Sequence, residues 1–119
     1  MPREGLGEFE QTVMLAVVHL NHGKAQASGV TQAYGVTIVD EIERRTGREV
    51  ARAAVYITLR RLEEKGLVRS WMGAPTGEVG GRSKRLVDVT PAGLKALRES
   101  RDFLNTMWRG AELPAKGGK

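Results

Sequence analysis

Two groups of residues in this chain have the chemistry to recognise a polyanion. In AVYITLRRLEEKGLVRS, residues 54–70, Tyr56, Ile57, Arg60 and Glu64 recur three or four positions apart, and Ala53 just before the stretch joins them. On a helix, that spacing puts all five on one face. Solvent alone does not call for a tyrosine and an isoleucine there. A thymine methyl suits Ile57, sugars and bases suit Tyr56, and the Arg60 guanidinium can address guanine or a phosphate. Arg52 precedes this face by one residue. The second group is Arg82, Ser83, Lys84 and Arg85, directly after Gly80 and Gly81, a pair that lets the backbone approach a partner closely. Basic side chains at such a place are suited to phosphate contact.

Catalytic arrangements fare worse. His19 and His22 are the only histidines, lie three apart, and have no carboxylate or cysteine nearby at metal-ligand spacing. GEVGGRS resembles a phosphate loop only superficially, because Thr76 stands where the first glycine is required and Arg82 takes the place of the lysine. Asp40, Glu41 and Glu43 make an acidic helix edge with no partner for acid–base chemistry. The sequence therefore assigns no catalytic residue, metal ligand or cofactor, and the chain is not expected to be an enzyme.

The elements that must hold the two groups can be read from periodicity. Residues 7–21 place Phe9, Val13, Ala16, Val17 and Leu20 on one helical stripe, with Met14 and Leu15 widening it beyond what one small core needs. This first helix can therefore serve two partners. A polar, small-residue segment follows and is expected to be a long loop. Residues 34–47 form a second helix around Ile38, Val39 and Ile42, with Arg44 and Arg45 favouring its dipole and Gly47 as its stop. The third helix buries Val55, Leu59 and Leu62, with Thr58 at the edge of the stripe, and ends at Gly66. LVRSWM and RSKRLVDV are strands separated by GAPTGEVGG, which makes a β-hairpin with a long tip. Thr90 caps a fourth helix that has Pro91 at its first position and runs to about Gly110. Residues 111–119 are expected to be a disordered tail.

Charge is unevenly distributed along these elements. Residues 1–43 carry two basic groups against six acidic ones, residues 44–85 eleven against four, and residues 86–119 six against four. The net charge of +5 thus arises in the segment that contains both candidate groups, as a nucleic-acid partner would require. The chain has no cysteine, which fits a reducing cytoplasm, and no apolar run reaches the roughly 18 to 20 residues of a membrane span.

Three helices, a hairpin and a final helix, in that order, predict a mainly α winged helix-turn-helix within residues 1–110. Its third helix would lie in the major groove of double-stranded DNA, with the hairpin root on the neighbouring backbone. In the final helix, Leu94, Leu97, Leu104 and Trp108 follow a seven-residue alternation broken by Arg101, with Phe103 and Met107 beside them. That pattern favours a dimer seam. A different class of function is a winged-helix module that uses the Tyr56 and Ile57 face on another protein and never touches DNA.

Three segments also resemble the PadR-like transcriptional regulators, in particular the compact branch with a single C-terminal helix. AYGVTIVDEI, residues 33–42, resembles the family's Tyr-Gly start of helix 2; AVYITLRRLEEKGLV, residues 54–68, its recognition helix; and GGRSKRLVDVTPAG, residues 80–93, its wing. The resemblance implies a homodimeric DNA-binding regulator, usually a repressor, acting on a palindromic operator. It adds Tyr34 to the DNA-facing candidates Arg52, Ala53, Tyr56, Ile57, Arg60, Arg82, Ser83, Lys84 and Arg85. It also implies that helices 1 and 4 build the dimer, with Phe9, Val13, Leu97, Phe103, Leu104, Met107 and Trp108 at the interface. Compact members can hold planar aromatic compounds between their final helices, where Trp108 could offer a surface for such an effector. The chain departs from the family in its longer loop over residues 21–33, in Ala51 where many members have a serine, and in Leu86 and Val87 in place of an aromatic pair.

Overall fold

The computed structural model describes residues 5–23, 33–73 and 83–115. They form α1 (Glu8–His22), α2 (Gly35–Thr46), α3 (Arg52–Glu64), β1 (Val68–Met72), β2 (Arg85–Val89) and α4 (Pro91–Trp108). This is the expected winged helix-turn-helix, with the strands paired antiparallel from Val68 opposite Val89 to Met72 opposite Arg85. Most of the expected hairpin tip, residues 74–81, and most of the expected long loop, residues 24–32, lie outside the described residues, as does Arg82 at the start of the expected second strand.

The helix ends follow from single residues. Gly47 closes α2 at φ 72°, its N–H donating to the Glu43 carbonyl at 2.9 Å. Gly66 closes α3 at φ 77°, where the Gly66 N–H reaches the Glu63 carbonyl and the Leu67 N–H the Leu62 carbonyl, both at 2.9 Å. This pair of bonds satisfies carbonyls that a helix end would otherwise leave open. Thr90 begins α4, its hydroxyl accepting from the Gly93 N–H at 3.0 Å and donating to the Gly66 carbonyl at 2.7 Å. The Thr90 N–H also donates to the Leu67 carbonyl at 3.0 Å. One residue thereby joins the start of α4 to the end of α3, and Gly93 permits the approach, because a Cβ there would fall on the Leu67 carbonyl oxygen. Thr90→Ala is expected to cost about 1 kcal/mol, measured by urea unfolding, since it removes the cap and the hydroxyl bond to Gly66.

The core lies where α1 meets α2, α3 and β2, and its largest fully buried side chains are Met14, Ile38, Leu62, Val13, Val17, Val55 and Val68. Two expectations are corrected here. Val13, placed at a dimer surface by the sequence reading, is 0 % exposed within the chain itself and has no area left for a partner. The large apolar residue that α1 leaves exposed is Leu15, with Phe9, Val18 and Leu20 half-buried. Of the acidic helix edge expected on α2, Glu41 turns inward: it is buried and forms ion pairs with both Arg44, at 2.8 Å, and Arg45. The two arginines therefore neutralise a buried carboxylate as well as lying in the last turn of α2.

A polar clamp joins segments far apart in sequence. The buried Asn21 amide donates to the Val87 carbonyl at 2.9 Å and to Asp88 Oδ1 at 3.1 Å, and its oxygen accepts from the Ala33 N–H at 3.0 Å. The Val87 N–H returns to the Ala33 carbonyl at 3.0 Å. The residue leading into α2 is thus bound to β2 and to the end of α1. His22 Nε2 lies 3.0 Å from Asp88 Oδ1, so a histidine with no carboxylate near it in sequence acquires one from 66 residues away.

Burial alone would raise the Asp88 carboxyl, but hydrogen bonds from Asn21, His22 and the Val89 N–H hold it below the usual carboxylate range. Glu41 is likewise lowered against its burial by Arg44 and Arg45, and Glu10 by Lys65 and the Gly7 N–H. The unfolded chain takes up protons at these groups more readily than the folded one. Their contribution is present above the unfolded pKa values and is lost as pH falls through the lower folded ones. Urea unfolding at a series of pH values should show stability falling below about pH 5, with a shallower decline in Asp88→Asn.

Candidate nucleic-acid interface

The face of α3 opposite the core carries the residues that the spacing grouped together. Tyr56 is 50 % and Ile57 54 % exposed, and Arg52, Ala53, Arg60 and Glu64 are exposed with them. Val55, Leu62 and Thr58 point inward and are buried, Thr58 more deeply than an edge position would be. Ala51 supplies no side-chain cap to the first turn of α3, so the amides there are open to an anion.

The wing root stands next to this face. Arg85 is exposed, Ser83 and Lys84 are half-buried, and Arg82 lies outside the described residues. The Lys84 ammonium sits 5.3 Å from the centre of the Tyr34 ring, a cation–π contact that ties the wing to the residue capping α2. Two further side chains, absent from the sequence reading, connect α3 to both strands. Ser70 donates from its hydroxyl to the Glu63 carboxylate at 2.9 Å and accepts from the Arg85 guanidinium at 3.1 Å. Alternation along VRSWM places Ser70 with Val68 on the strand face that meets α3, but its partners could be found only by pairing the strands. Tyr56, Arg60, Glu63, Ser70 and Arg85 all line one cleft of about 400 Å³ between α3 and the hairpin.

This cleft brings together aromatic, apolar, guanidinium, carboxylate and hydroxyl groups beside the wing. Among the described residues, no group of three or more histidine, cysteine, aspartate or glutamate side chains could hold a metal ion. Among the same residues, no helix is long and apolar enough to cross a membrane.

A second surface lies along α4. Phe103, Leu104, Met107 and Trp108 are exposed, from 46 % at Leu104 to 66 % at Phe103. Leu97 and Phe9 are half-buried and pack against the core, so each has only part of its surface left. Phe103 and Leu104 also border an open groove of about 620 Å³, whose other apolar walls are Leu6, Leu67, Ala92 and Ala96.

Known proteins share this organisation. The family model of the transcriptional regulator PadR-like family matches residues 28–99, which contain α2, α3, the wing and the first half of α4. A relative from Mycobacterium tuberculosis, Transcriptional regulator Rv3488, is 34% identical over 102 residues, covering 86% of this chain and 85% of its own length. A PadR family transcriptional regulator from Eggerthella lenta superposes with a TM-score of 0.61 at 25% identity, over 87% of this chain and 81% of that one. A transcriptional regulator from Clostridium thermocellum superposes with a TM-score of 0.63 at 17% identity, over 84% and 82% of the two chains, a likeness of fold. The family match spans more than half of the chain and the relative from Mycobacterium tuberculosis most of it, and the chain belongs to the PadR-like family of transcriptional regulators.

Proposed function

We propose that the protein is a homodimeric repressor that binds a short DNA palindrome, with α3 in the major groove and the wing root on the adjacent phosphates. The observation that carries this reading is the exposure of Tyr56, Ile57 and Arg60 on the second helix of the helix-turn-helix pair, with Tyr56 and Arg60 in one cleft with Arg85. An aromatic, a branched apolar and a guanidinium group in that place can read base edges and methyls, while Lys84 and Arg85 supply charge to the backbone. The dimer reading is supported by the apolar run at the end of α4, since side chains of that size left in water would form an unfavourable patch. A two-fold partner covers them and sets two copies of α3 about one DNA turn, near 34 Å, apart.

A winged-helix module that uses the same face on a protein would behave differently toward salt. A phosphate-dominated complex weakens with a log–log slope of about −0.9 per phosphate neutralised, whereas an apolar protein interface changes little. A flat response of affinity to salt would remove the DNA reading. Within that reading, Lys84→Ala and Arg85→Ala should weaken binding to different sequences by similar factors and make the salt slope shallower by about one phosphate each. A changed sequence preference with an unchanged slope would reassign these residues from phosphate to base contact.

A further inference from the structure

Tyr56 is half exposed, yet its ring lies against the backbone of another helix. A methyl group built on Gly35, the first residue of α2, would overlap that ring, falling 2.5 Å from Cζ and closer still to Cε1 and the hydroxyl oxygen. Gly35 itself is buried. Nothing in its backbone demands glycine, because among the described residues the positive-φ positions are Gly47, Gly66 and Gly110. Glycine is also a poorer helix former than alanine. What its missing side chain provides at this point is room for an aromatic ring.

We propose that Gly35 is a positioning residue for the DNA interface: it sets the direction in which Tyr56 leaves α3, and it acts on binding through Tyr56 alone. This rests on the reading of α3 as the DNA-facing helix. Both residues line the cleft that holds Arg60, Ser70 and Arg85, so a displaced ring changes the shape of the surface that DNA would meet. The atoms that a Cβ would strike belong to the outer end of the tyrosine rather than to backbone. The ring therefore moves while the helix stays. The neighbouring Tyr34 carries Lys84 over its own ring, so two consecutive residues at the start of α2 arrange both halves of the interface, the wing through Tyr34 and the recognition helix through Gly35.

The test is a double-mutant cycle of Gly35→Ala and Tyr56→Ala, read on duplexes that the unmodified protein selects from a random pool. Gly35→Ala should weaken binding about tenfold when Tyr56 is present and less than about twofold when it is alanine. Equal losses in both backgrounds would overturn the proposal. If Gly35→Ala alone fails to fold, adding Tyr56→Ala should restore folding, and failure of that rescue would also overturn it. A readout without DNA separates this idea from the functional one. In nuclear magnetic resonance spectra of the free protein, Gly35 Hα should carry a ring-current shift that disappears in Tyr56→Ala, and the Tyr56 ring signals should move in Gly35→Ala. Unmoved ring signals would sink the positioning role. Moved signals in a protein that selects no duplex would sustain the positioning and sink the DNA reading instead.

Discussion

Replacing Tyr56 or Arg60 with alanine is expected to cost about 1 to 3 kcal/mol of DNA binding while leaving thermal unfolding nearly unchanged. The separation of the two effects follows from where the side chains lie. α3 is held in place by Val55, Thr58 and Leu62 on its buried face, by the Gly66 stop and by the Ser70–Glu63 hydrogen bonds. Neither Tyr56 nor Arg60 belongs to that support, and both are exposed. Truncating either removes surface that a groove would meet without opening a cavity in the core, and exposed substitutions of that kind usually change stability by no more than about 0.5 kcal/mol. If Tyr56→Ala chiefly unfolds the domain, the ring's packing on Gly35 contributes to the fold and the interface assignment is wrong. Binding curves and melting curves on the same samples decide between the two.

Removing residues 103–119 is expected to have the larger consequence for a palindromic site. Every described residue from Arg101 onward is exposed, so none of the described residues that the deletion removes belongs to the protomer's core. It does take Phe103, Leu104, Met107 and Trp108, the exposed apolar side chains proposed to meet a second copy. A dimer presents two recognition helices at once, and once the first half-site is bound the second is met at an effective concentration set by the rigid link between protomers. Loss of the link should reduce binding to a full palindrome by at least about a hundredfold, and binding to a single half-site far less. The shortened protein should sediment as a monomer and melt lower, because association no longer adds to the stability of the folded state. Sedimentation of the intact chain as a monomer at micromolar concentration would remove the basis of this prediction.

Much of the fold was legible because its signals are local. Gly47 and Gly66 announce left-handed stops, Thr90 with Pro91 announces a helix start, and the spacing of Val55, Leu59 and Leu62 orients α3 without knowledge of anything else in the chain. The outward residues of α3 were readable for the same reason, as the complement of that stripe. What escaped the sequence depends on contacts across long separations. Asn21 reads as an ordinary polar residue at a helix end until β2 is placed beside it, and His22 reads as isolated until Asp88 arrives with the same strand. Ser70 and Gly35 acquire roles only when strand pairing and helix packing bring them to Glu63, Arg85 and Tyr56. Val13 was misassigned because a helix with a wide apolar face does not reveal which part of that face turns to its own core. The answer is set by α2, α3 and β2 packing on α1.

The central claim, that α3 and the wing of a symmetric dimer bind DNA, is tested most directly by selecting bound duplexes from a random-sequence pool with the intact protein. The expected result is an inverted repeat whose half-sites are centred about one helical turn, near 34 Å, apart, with retention lost steeply as salt is raised. Enrichment of no sequence, or retention indifferent to salt, would contradict it.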